Sequence, residues 1–107
     1  MADDIPIEER VRAAAAKRIL FLPHAVKAMV RVHPMITPAE VEAVVTRGKV
    51  IEDYPEDVRG HSCLMLAAPG GRAIHVVCSP KVDYLAVITT YRPDPALWKP
   101  DFRERKR

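Results

Sequence analysis

Several motifs that announce chemistry are missing from this 107-residue chain. No G-x-x-x-x-G-K-[ST] or G-x-G-x-x-G loop is present, which removes the usual glycine-lined phosphate cradles. Nor is there a G-x-S-x-G turn or an H-E-x-x-H helix, so serine-hydrolase and zinc-peptidase readings have no anchor. Two cysteines, Cys63 and Cys78, are too few for a disulfide framework, and nothing near them has zinc-site spacing. No metal or cofactor is expected. The longest uncharged stretch, Gly60 to Gly71, is too short to cross a bilayer, so no membrane partner is expected. The opening MADDIPIEER is acidic and lacks an apolar signal core, which points to a cytoplasmic protein with reduced cysteines. Without repeats or low-complexity linkers, residues 1–107 read as one domain, with a core over about 19–92 and a tail from 93.

What is present is a soluble composition, 49% apolar and 29% charged, with a net charge of +3. The charge is uneven. From Arg92 onward six basic residues (Arg92, Lys99, Arg103, Arg105, Lys106, Arg107) face three acidic ones (Asp94, Asp101, Glu104), and the rest of the chain is balanced. Such a tail either lies along phosphates or is a solvated terminus.

Helix is expected over 7–18, from alanine and long charged side chains. The apolar run ILFL (19–22) suggests a buried strand. A helix from about His24 to His33 follows, with Val26, Met29 and Val30 on one face, and Pro34 should stop it. The next helix is the most explicit. Thr37 is an N-cap, Pro38 occupies the first turn, Glu40 completes a capping box, Val41, Val44 and Val45 form the apolar stripe, and Gly48 closes it. Strand signals come next: KVIEDY, HSCLMLAA, a turn at Pro69-Gly70-Gly71, RAIHVVCS, a turn around 80–83, and YLAVITTY. This order predicts an α+β fold, a single antiparallel sheet of four to five strands with helices on one face. A three-residue loop at 69–71 would pair Leu66 with Ile74 and Leu64 with Val76. Cys63 and Cys78 would then point to opposite faces, unable to bond to each other.

Two histidines invite a functional reading. His24 is either a plain helix-start residue or a group at the edge of a cleft, although Ser, Asp or Asn would cap better. His75, mid-strand in AIHVV, is either a half-buried imidazole with a polar neighbour or an acid/base group on an open sheet face. The start of a packed helix can reach the edge of a sheet, so the two histidines can converge. Tyr91 and Arg92 end the last strand on opposite faces, and the length of the preceding turn decides which of them accompanies His75. His61 and His33 are assigned no catalytic role.

The segments ILFLPHAVKAM, ITPAEVEAVVTRGKVIEDYP, RAIHVV and VITTYRPDPALWKPDFRERKR together resemble the small bacterial proteins grouped as domain of unknown function 4258. Their arrangement is similar to the RelE-like toxin superfamily of small α+β ribonucleases, an analogy of fold. The resemblance singles out His24 and His75 as recurrent polar positions. It also exposes a departure: relatives commonly carry arginine four residues after the first histidine, where this chain has Ala28. RVHPM likewise stands where relatives have a shorter link between helices. On this basis the expected function is metal-independent RNA cleavage or RNA binding, with an antitoxin-like protein as a second partner. His24 and His75 would act as acid and base with Tyr91 or Arg92 assisting, and Lys27, Lys99, Arg103, Arg105, Lys106 and Arg107 would contact nucleic acid. The alternative is a non-catalytic interaction or nucleic-acid-binding module, which the absent arginine would suit.

Overall fold

The structure, a computed structural model, describes residues 5–107. The elements run α1 (Ile7–Lys17), β1 (Ile19–Phe21), α2 (Pro23–Arg31), α3 (Pro38–Arg47), β2 (Lys49–Tyr54), β3 (Ser62–Ala67), β4 (Ile74–Pro80) and β5 (Leu85–Tyr91). They form the expected α+β architecture: one five-stranded sheet, order β1-β5-β4-β3-β2, with helices against it. β2 to β5 make an antiparallel meander. β1 lies parallel to β5, Ile19 opposite Leu85 and Phe21 opposite Val87, so the sheet is mixed.

α3 begins as its sequence implies. The Thr37 hydroxyl accepts from the Glu40 amide at 3.1 Å, and the Glu40 carboxylate accepts from the Thr37 amide at 3.0 Å. Val41, Val44 and Val45 are all buried. Gly48 ends the helix in extended backbone, and a Cβ there would stand 2.4 Å from the Val44 carbonyl oxygen and 2.6 Å from that of Leu66. Close approach of the chain to β3 therefore requires glycine here. α2 is turned differently from expectation. Ala25 and Met29 face the core, while Val26 and Val30 are about half exposed, because a small residue lets the helix lie close to the sheet.

The core joins Val11 and Ala14 of α1, Ala25 and Met29 of α2, and the α3 valines to Cys63, Met65, Ile74, Val76, Cys78, Leu85 and Val87 of the sheet. All three helices thus cover one face. Arg72 fastens this side. Its guanidinium donates to both Glu40 carboxylate oxygens (2.9 and 2.8 Å) and to the carbonyls of Pro34 and Met35.

The β3–β4 register departs from the sequence-based expectation. The connection is longer than three residues, with Ala67 opposite Ile74 and Gly70 and Gly71 both at positive φ. A one-residue slip turns a strand over. Cys63 consequently stands directly opposite Cys78 on the core side, both as buried free thiols. The Cys63 side chain and burial together push the Cys78 thiol pKa up.

Candidate active site

Alternation along the strands decides what the helix-free face presents. Ile74 and Val76 point into the core, so His75 between them points the other way. An irregularity in the β4–β5 register, between Val77 and Cys78, brings Tyr91 opposite His75. That settles the alternative left open by the turn: Tyr91, not Arg92, shares the His75 face. On β2 a second irregularity places Glu52 opposite Leu64 and Tyr54 opposite Ser62, two residues apart on the same face.

The C-terminal segment closes over this face. Trp98 is buried against the sheet, while most of the segment's charged side chains stay exposed. A turn at Asp94 (amides of Leu97 and Trp98 to the Asp94 carbonyl, 2.9 and 3.0 Å) leads into a short hairpin in which Trp98 pairs with Arg105. Trp98 is only 3% exposed. Its ring stands edge-on to His75 with centroids 4.5 Å apart, and the Arg105 guanidinium lies 4.6 Å from its centroid. Phe102, at φ 60°, adopts a left-handed backbone that a non-glycine residue rarely takes. In that conformation its carbonyl lies 2.9 Å from His75 Nε2.

A carbonyl only accepts, so Nε2 carries the proton and Nδ1 the lone pair. Nδ1 lies 3.4 Å from the Tyr91 hydroxyl, a long contact. Burial holds the His75 pKa below the ordinary imidazole value, so the ring is neutral near pH 7. Burial also raises the Tyr91 pKa. Glu52 accepts from Arg105 Nε at 2.9 Å and Nη2 at 3.1 Å, and from the Tyr54 hydroxyl. The Arg105 bonds hold the Glu52 carboxyl below its usual range. Burial and the adjacent Glu52 push Tyr54 up to about 12, so its phenol stays protonated. One face therefore carries a carboxylate, two phenols, a neutral imidazole and a guanidinium, several with perturbed pKa values, as functional sites often do.

Of the sequence-proposed residues, the structure brings together His75, Tyr91 and Arg105. His24 is exposed on α2, which packs on the opposite face, so the two histidines do not converge. Arg92 is exposed beyond the strand end. Lys27 is exposed on α2, Lys99 pairs with Glu104 at 2.8 Å, and Arg103, Lys106 and Arg107 are exposed. Glu52, Tyr54 and Phe102 are not singled out by the sequence, and Trp98 carries the family resemblance there without a site role. The i, i+2 placement of Glu52 and Tyr54 in KVIEDY was the available signal. Among the described residues no group of three His, Cys, Asp or Glu is placed to hold a metal ion, and no helix is long and apolar enough to cross a membrane.

The family model described as Domain of unknown function (DUF4258) matches residues 21–92, more than half of the chain, and the chain belongs to that family. No curated protein and no solved structure matches it.

Proposed function

We propose that this DUF4258 member is a metal-independent RNA-cleaving protein whose reactive groups lie on the helix-free face. The observation that carries this reading is the convergence of Glu52, Tyr54, His75, Tyr91 and Arg105 there. A tail could be held down more simply by apolar contacts, since buried imidazoles and ion pairs add little net stability. Their chemistry suits cleavage at a ribose 2′-hydroxyl. The Glu52 carboxylate takes the 2′ proton as oxygen attacks phosphorus. Arg105 stabilises the phosphorane charge, Tyr54 gives its proton to the departing 5′ oxygen, and a 2′,3′-cyclic phosphate remains. His75, shielded beneath Trp98, acts as a positioning residue for Tyr91.

The test is cleavage of a mixed RNA pool in chelator, with a melting curve for each variant. Glu52→Gln and Tyr54→Phe should each lower the rate by roughly 100-fold or more, and His24→Asn should leave it unchanged. Wild-type protein that neither cuts nor binds RNA would sink the proposal. One observation favours a second reading, a non-catalytic module: both Glu52 oxygens and both His75 nitrogens already have partners within the chain. On that reading Glu52→Gln lowers the melting temperature and no RNA is cut.

A further inference from the structure

A second gathering of cations lies away from that face and is independent of the ribonuclease reading. A groove of about 750 Å³ runs between α1, the corner at Gly60 and His61, and the β4–β5 turn. Its size falls among small-molecule sites. Arg10, Lys17, His61 and Lys81 line it, and among the described residues no carboxylate does. α1 contributes Arg10, Ala13, Ala14 and Lys17, the i, i+3, i+4, i+7 stripe of one helix face. Ala13, Ala14 and Pro80 make an apolar wall, with the mostly exposed Val82 at the rim.

The cations are held in place by neutral acceptors. Lys17 Nζ donates to the Val82 carbonyl at 2.9 Å, and Lys81 Nζ donates to the Arg59 carbonyl. Each ammonium keeps donors to spare. His61 Nε2 lies 2.6 Å from the Asp53 carboxylate, which orients the ring so that Nδ1 accepts from Arg10 Nη1 at 3.0 Å. The groove thus fixes the direction of its guanidinium without neutralising it. Gly60 keeps the corner open: it sits at φ +103°, and a Cβ there would stand 2.6 Å from Lys81 Nζ. Fixed positive charge beside a low-dielectric wall concentrates anions.

We propose that this groove binds a small phosphate monoester, its dianion against Arg10, Lys17 and Lys81 and its organic part against Ala13, Ala14 and Pro80. The probes are phenyl phosphate, inorganic phosphate and benzoate, titrated at low salt into the full chain and followed by amide chemical shifts. Phenyl phosphate should give saturable shifts at residues 10–17, 60–61 and 80–82. It should bind about 10-fold more tightly than inorganic phosphate, because its ring leaves water, and more tightly than the monoanionic benzoate. The Lys17→Gln/Lys81→Gln double variant alters two surface side chains and should melt like wild type, while binding about 10-fold more weakly. Shifts that fail to saturate, or that map to α2 or the C-terminal hairpin, would overturn the site. Unchanged affinity in the double variant would remove the lysines from it. Benzoate binding as tightly as phenyl phosphate would overturn the ligand class.

Discussion

The two faces of the sheet are closed by different means. On one, three helices lay small and branched aliphatic side chains against Met65, Val76 and Val87, contacts that have no preferred direction. On the other, one short hairpin lays Trp98 and the Phe102 carbonyl against His75 and Arg105 against Glu52. Contacts of the first kind tolerate exchange between side chains of similar volume. Contacts of the second kind come in pairs, and removing one member strands the other. The helix side should accordingly be robust and the hairpin side exacting.

The severest test of this contrast is Trp98→Ala, which empties the centre of the hairpin side. It should cost about 3–5 kcal/mol by urea unfolding, and a loss near 1 kcal/mol would mean that the face stands without its indole. Next comes a matched pair. His75→Leu strands the Phe102 carbonyl and should cost about 2–3 kcal/mol, whereas Met65→Leu on the helix side should cost under about 1.5 kcal/mol. Equal costs would erase the distinction. Smaller still is Thr37→Ala, expected at about 1 kcal/mol because only the α3 cap is lost; an unchanged midpoint would dispense with the cap.

Stability in acid draws on both faces. His75 has a folded pKa below its unfolded value of 6.5, so the unfolded chain takes up the proton first and stability falls as pH drops below about 6.5. Glu40, held at about 2 by Arg72, contributes stability that is present above pH 4.5 and lost as pH falls towards 2. Denaturant midpoints against pH should show both windows. His75→Gln should flatten the upper window and Glu40→Gln the lower, and profiles unchanged by these substitutions would contradict the assignment.

The parts legible in sequence were those decided locally. Thr37, Pro38, Glu40 and the valine stripe specify α3 within one segment, and the strand signals delivered the meander. What depended on connection geometry was hidden. One residue more or less between Ala67 and Ile74 decides whether Cys63 meets Cys78, and a register irregularity decides whether Tyr91 or Arg92 joins His75. The candidate site was half visible for a different reason. His75 and Tyr91 stand out as residue types, but Glu52 and Tyr54 acquire meaning only once Trp98 and Arg105 fold back across the sheet. His24 drew notice as an imidazole at a helix start, and only the packing of α2 on the far face separates it from His75.

The parallel pairing of β1 with β5 has a consequence for how the chain assembles. Strands β2 to β5 are joined one to the next by short connections and can form as local hairpins, whereas Ile19 must find Leu85 across most of the sequence. Closing that long loop is entropically uphill until the contacts on either side are ready. The meander should therefore condense first, leaving β5 briefly as a bare edge with unpaired backbone groups. The N-terminal helix and strand then arrive as a latch, and the speed of that late step sets how long a nascent copy is exposed to strand-by-strand association with its neighbours.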